Sequence, residues 1–258
     1  MKNRIKAELE TIENNHQVRI LYACESGSRA WGFESADSDW DVRFLYLHPP
    51  EWYLSVDLES KRDVIEWPPH DDLDICGWEL RKALNLFRKS NPPMIEWLHS
   101  PIVYRDENGL ARCLRELLGQ YYSPRSCFYH YLHMAKGNYR EYLKGETVWL
   151  KKYLYVLRPI LALRWIDRDL GSVPVRFSDL IDATAPSGPL RKAIDRLIVM
   201  KKQGLEKKHG PRIPEINHFL DTEITRFEGR INPQEKAASP IEPLNDLFRK
   251  MLDEVWEK

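Results

Sequence analysis

Cysteine and glycine are scarce in this chain, and neither sign of charge is in excess. The four cysteines, Cys24, Cys76, Cys113 and Cys127, lie far apart and form no Cys-x-x-Cys pair. This spacing speaks against zinc and against a disulfide framework, and it points to reduced thiols in a cytoplasmic protein. No apolar run approaches a membrane span, so no membrane partner is expected. The N-terminus, MKNRIKAELETIENNHQVRI, lacks the apolar core of a signal peptide and reads as a charged helix. The 39 basic side chains are balanced by 39 acidic ones, which removes any global electrostatic argument for nucleic acid. A local basic face is still open to the chain. Lys201, Lys202, Lys207, Lys208 and Arg212 lie close together with only Glu206 against them, although such clusters are usually solvated helix ends.

The 258 residues suffice for one large or two modest domains. Hydrophobic residues make up 43%, enough to exclude wholesale disorder. Met1 to Asn14 reads as a helix. QVRILYACES and WDVRFLYLH read as strands, rich in β-branched and aromatic residues. KRDVIEWPPHDDLDICGWEL reads as two extended segments joined by a turn. From Glu79 the period changes: Leu80, Ala83, Leu84 and Phe87 mark a helical face that ends before Asn91-Pro92-Pro93. A short helix, MIEWLHS, follows. Further helices are expected over 107–122, with Asp106 as cap, and over 126–143, 147–169, 188–203 and part of 242–256. Ser123-Pro124-Arg125-Ser126 is a natural boundary. The expectation is an α+β first domain over 1–122 and an all-helical second domain over 123–258.

Against this background ACESGSRAWGFESADSDWDVRFLYL, residues 23–47, stands out. Gly27-Ser28 follows an apolar strand. Glycine lets the backbone approach a ligand, and consecutive N–H groups with a serine hydroxyl make an anion cradle. Asp39 and Asp41 are two residues apart on the next strand, which puts both carboxylates on one face. Two such carboxylates repel unless a cation lies between them, and an all-oxygen pair suits magnesium, or manganese in its place. Asp74 is the candidate third carboxylate, because Leu73 and Ile75 on either side of it are apolar. Arg29 could reach a phosphate. Arg43 lies on the Asp39/Asp41 face, placed to pair with a carboxylate or approach a substrate. Asp-x-Asp alone is a common pattern, and a solvent-facing turn also accounts for it. His130 and His133 share a helix face, but no third histidine or cysteine accompanies them, so they are read as structural or substrate-facing.

Gly27-Ser28, the spacer, Asp39-Trp40-Asp41 and the later Asp74 resemble the nucleotidyltransferase superfamily related to DNA polymerase β. More closely, GSRAWGFESADSDWDVRFLYL, LDICGWELRKALNLFRKSNPPMIEWLHSPIVY and HMAKGNYREYL…KKYLYVLRPILALRWI are similar to the RNA-repair-pathway polymerase-β family, from about Gln17 to Ile166. The resemblance implies a polymerase-β-like palm with a mixed sheet, followed by a helical domain. It implies transfer of a nucleotidyl group from a nucleoside triphosphate such as ATP to a hydroxyl, through two metal ions held by Asp39, Asp41 and Asp74. Gly27, Ser28 and Arg29 would then hold phosphates. Lys152 and Tyr155, one helical turn apart, would contribute to nucleotide binding from the helical domain. Lys136, Asn138 and Tyr139 stand in a similar position. An RNA end, such as that of a tRNA, is the implied acceptor; a protein or small-molecule acceptor is the alternative. A catalytically silent nucleotide- or RNA-binding regulator is a different class of reading, disfavoured by the presence of all three aspartates. A sugar-nucleotide glycosyltransferase would leave Gly27-Ser28 unexplained. The oligomeric state is open.

Overall fold

The computed structural model describes residues 1–205, 209–230 and 239–256. Two compact units emerge from the packing. The first comprises 1–30, 39–122 and 236–258; the second comprises 31–38 and 123–235. One junction between the two units falls after Tyr122. Two short segments fall on the other side of it: 31–38 packs with the second unit and the C-terminal segment with the first.

The first unit is a five-stranded sheet with helices on both faces. Its strands are β1 (Arg19–Glu25), β2 (Trp40–Leu47), β3 (Val64–His70), β4 (Leu73–Glu79) and β5 (Val103–Asp106), in the order β3-β4-β2-β1-β5. β1 and β2 pair antiparallel, whereas β2 and β4 pair parallel. The central strands are buried on both faces, which explains why β1 reads as an apolar run rather than a clean alternation.

α1 (Lys2–His16) covers one face, where Ile5, Leu9 and Ile12 join Ile20, Val42, Phe44, Tyr46 and Ile75 in one core. On the other face lie α4 (Leu80–Arg88), α5 (Pro92–Leu98) and α6 (Leu110–Tyr121), and the buried Tyr22 hydroxyl donates to Trp97 O at 2.7 Å. Gly77 is needed in β4, because a Cβ there would stand 2.2 Å from the Phe44 ring. Gly109, at φ 66°, rather than Asp106 caps α6. α12 (Glu242–Trp256) buries Leu244, Leu247 and Met251. Two short elements, α2 (Gly27–Trp31) and α3 (Pro50–Tyr53), occupy connections.

The second unit is helical apart from a two-stranded ladder. It contains α7 (Pro124–Tyr142), α8 (Lys151–Asp167), α9 (Phe177–Thr184), α10 (Pro189–Lys202) and α11 (Pro214–Glu228). Thr147–Trp149, expected to begin the helix of α8, instead forms β6, which pairs with β7 (His209–Pro211). The β-branched and aromatic Thr-Val-Trp run favours that extended form. α8 is the central helix, with eleven buried residues. It carries the buried Arg158, and its Arg164 pairs with the buried Glu223 of α11 at 3.0 Å. Among the described residues no helix is long and apolar enough to cross a membrane.

His48, just after β2, stacks on Trp52 at 4.1 Å and has its backbone N–H bonded to the Tyr53 hydroxyl. Burial, reinforced by the positive charge of Lys61, holds its pKa down at about 4. A histidine depressed in the folded state leaves the unfolded chain binding more protons below the ordinary value near 6.5. Its contribution is therefore complete above pH 6.5 and lost as the pH falls towards 4. Replacing His48 by Gln should make the melting temperature fall less steeply between pH 6.5 and 4 than in the wild type. Parallel profiles would show that His48 titrates alike in both states.

Candidate active site

The strand register assembles the core of the site. Asp41 on β2 and Asp74 on β4 are direct partners in the parallel ladder. By alternation they share the sheet face opposite Val42 and Phe44. Arg43 lies two residues on from Asp41, on that same face. Its Nη2 reaches Asp74 Oδ2 at 2.7 Å and Asp41 Oδ1 at 3.3 Å, while Nη1 donates to the backbone oxygens of Val42 and Asp74 at 3.0 and 3.1 Å. Two adjacent carboxylates thus have one guanidinium between them, which offsets their mutual repulsion.

Gly27 meets Asp41 from the neighbouring strand end. It sits at φ +57°, and a Cβ there would lie 2.0 Å from Asp41 Oδ2. Only glycine satisfies both the backbone conformation and the approach. Ser28, in the short α2, is buried. The Ser26 N–H donates to Asp41 O at 2.8 Å, stitching the turn to β2.

Asp39 is placed differently from the expectation that it shares the strand. β2 begins at Trp40, so Asp39 immediately precedes it. Its carbonyl accepts from Arg29 Nε at 3.1 Å, and the Arg29 guanidinium lies 3.8 Å above the Trp40 ring. The Arg29 side chain therefore fixes the chain around Asp39. The Asp39 side chain is exposed.

Sequence reasoning missed Glu25. It ends β1 with no solvent exposure, and its Oε1 accepts the Asp41 N–H at 2.8 Å. Its other oxygen accepts from the Tyr104 hydroxyl, and its carbonyl accepts from Ser100 Oγ at 2.6 Å. Burial pushes its pKa up, opposed by the hydrogen bonds from the Tyr104 hydroxyl and the Asp41 N–H. Glu25 thus anchors the backbone of Asp41 from below the turn. A signal was present: it is the one charged residue closing the apolar run ILYACE.

The donors fit a hard divalent cation in kind, since all are carboxylate oxygens, and the place a Gly27 Cβ would take lies 2.0 Å from Asp41 Oδ2. The arrangement itself is set around Arg43. Among the described residues no group of three or more His, Cys, Asp or Glu side chains is disposed to hold a metal ion. Asp39 and Asp41 would supply ligands, with Asp74 engaged by Arg43.

The second unit holds Lys152 and Tyr155 on α8. The Lys152 ammonium lies 4.0 Å from the Tyr142 ring centroid, 5.5 Å from Trp149 and 5.4 Å from Tyr155. Burial lowers its pKa. Tyr155 also meets Trp31 edge-on at 5.8 Å, and Trp31 lies 4.6 Å beneath the Arg158 guanidinium. Trp31 therefore packs in the helical unit, as a loop-packing residue should.

The basic cluster divides. Lys201 is buried and donates to Ser35 Oγ and Ser38 Oγ at 3.3 and 3.2 Å, so it is not a surface cation. Lys202 is exposed, and Arg212 lies 4.0 Å from Asp221. Lys207 and Lys208 lie outside the described residues.

Comparison with known proteins gives this geometry a family. The chain is 46% identical over 258 residues to an uncharacterized Bacillus subtilis (strain 168) protein, YcgL, covering all of this chain and 98% of that one. Among solved structures, a nucleotidyltransferase-like protein from Exiguobacterium sibiricum 255-15 aligns over 97% of this chain and 90% of that one. Its identity is 10% and its TM-score 0.32, a likeness too remote to bear on the fold. A model of the RNA repair pathway DNA polymerase beta family matches residues 1–250. The chain belongs to that family of polymerase-β-like nucleotidyltransferases.

Proposed function

We propose that the protein moves a nucleotidyl group from a nucleoside triphosphate to a hydroxyl on RNA, with magnesium as the metal. The observation that carries this reading is the β2–β4 register, which sets Asp41 beside Asp74 and against the Gly27 turn, in a chain of this family. The RNA acceptor is supported by the family's description, and the mechanism by the chemistry of the donors.

A divalent cation bound at Asp39 and Asp41 would lower the pKa of the attacking hydroxyl and neutralise charge on the departing pyrophosphate. The chain's own groups do the positioning on which phosphoryl-transfer catalysis chiefly depends. Glu25 and Ser26 fix the backbone of Asp41. Arg29 fixes that of Asp39. Arg43 holds Asp74 beside Asp41 and supplies a positive charge where an anionic substrate would otherwise meet two carboxylates. Ser28 and the backbone of its turn would bind the outer phosphates. Lys152 and Tyr155 are proposed nucleotide contacts on the strength of the resemblance.

Purified protein incubated with each labelled nucleoside triphosphate, magnesium and total RNA should label RNA. Label in protein or in a small product instead would reassign the acceptor. Asp41→Asn should abolish labelling. Its melting temperature should fall by no more than about 4 °C, the shift that about 1 kcal/mol produces at this chain length. Transfer that survives in the folded variant would remove Asp41 from the reaction.

The turn yields a second outcome. Gly27→Ala should reduce transfer by about 10²-fold or more, because the added Cβ must displace the Asp41 carboxylate, and misplacement by about 1 Å costs that much. Ser28→Ala should weaken triphosphate binding by roughly one to two powers of ten, and monophosphate binding less. Equal losses for both nucleotides would place the phosphates elsewhere.

A further inference from the structure

α7 carries an array of side chains that the proposed reaction leaves unused. Tyr129, His133, Lys136, Arg140 and Lys144 recur every three or four residues along the chain, and the last of them lies just beyond the helix end. That spacing lines them up on one helical face. All five are exposed. The last four line an open cavity of about 470 Å³ inside the helical unit, with Asp221, Thr225 and Glu228 of α11 on the opposite wall.

The charges in this cavity do not cancel. Glu228 is taken by Lys136 at 2.5 Å. Asp221 accepts from the Tyr139 hydroxyl at 2.6 Å and lies 4.0 Å from Arg212. The Arg140 side chain makes no ion pair or hydrogen bond among the described residues, and the Lys144 ammonium lies 6.0 Å from the Tyr139 ring centroid. Gly137, in the middle of the face, leaves open space: a Cβ there would meet nothing within 4 Å. The chain as a whole is neutral, so this concentration of cations is not the overflow of a basic protein.

We propose that this face of α7 binds the phosphate backbone of an RNA strand. It rests on the reading that RNA accepts the nucleotidyl group. From His133 to Lys144 the row extends ~16 Å at the helical rise, which suits successive phosphates of a strand better than one compact triphosphate. Tyr129, at one end of the row, is an exposed ring of the kind on which bases stack. Cations along a backbone with an aromatic platform beside them are the chemistry of single-strand binding. The track lies on α7, not on the Lys201 cluster, whose first member is buried.

The test is fluorescence anisotropy of the full-length protein with a labelled, unstructured single-stranded RNA, without nucleoside triphosphate or magnesium. Arg140→Glu/Lys144→Glu should weaken RNA binding at least tenfold. It should also flatten the plot of log affinity against log salt by about 1.4, since each single-strand phosphate contact contributes about 0.7. Tyr129→Ala should weaken binding roughly tenfold and leave the salt slope unchanged. Arg140→Lys/Lys144→Arg, which keeps both charges, should restore most of the affinity and guards against a folding defect. Binding of a free nucleoside triphosphate should be the same in all variants. Equal RNA affinity and slope in wild type and the Glu variant would overturn the proposal, as would loss of free-nucleotide binding in place of RNA binding. No transfer enters this measurement, so it fails separately from the reaction. RNA labelling with an unchanged salt slope in the Glu variant removes only the track, and protein labelling by a chain that binds RNA through α7 removes only the acceptor.

Discussion

Two carboxylates placed side by side in a parallel strand pair must be neutralised, and much of the first unit is arranged around that requirement. Asp41 and Asp74 come together because β2 and β4 pair in register. Arg43 satisfies them from within the same strand, because a period of two returns its side chain to the Asp41 face. The opposite face of the same strand carries Val42, Phe44 and Tyr46 into the α1 core. A one-residue slip would carry Asp41 and Arg43 into the α1 core, so apolar packing and the geometry of the candidate site specify the same register.

The turn after β1 adds a second constraint. Glu25, with no exposure, binds the Asp41 N–H and the Tyr104 hydroxyl, while Gly27 gives up a side chain so that Asp41 can keep its own. A buried carboxylate is costly unless it is hydrogen-bonded, and this one is bonded to the group that the site must hold still. The proposed reaction, which rests on electrostatics, asks for such positioning by buried groups. In the second unit, Lys201 is likewise held by hydrogen bonds, to Ser35 Oγ and Ser38 Oγ.

Local patterning made the sheet and most helices legible. The apolar-aromatic runs of β1 and β2, the helical face of Leu80 to Phe87 and the Asn91-Pro92-Pro93 stop all appear as read. Gly27, Ser28, Asp39 and Asp41 are legible as a motif by spacing, and Asp74 by the apolar residues on either side of it. Features set by long-range pairing were not. β6 was read as helix, since its three residues become a strand only by pairing with β7 some sixty residues later. β5 is four residues long and carries little period of its own. The charge of Lys201 suggests solvent, yet two serines far away in sequence hold it inside. Glu25 was passed over because its partners, Asp41 and Tyr104, are distant along the chain.

The proposed reaction requires the Asp39–Asp41 corner to take a divalent cation together with a triphosphate. Titration with manganese, read by its electron paramagnetic resonance signal in the presence of a non-hydrolysable nucleoside triphosphate, tests it without requiring turnover. The wild type should bind the ion at least tenfold more tightly with the analogue than the Asp39→Ala/Asp41→Ala protein does, because two hard oxygen donors are lost. Equal affinity in the two proteins, both folded, would show that the ion is held elsewhere.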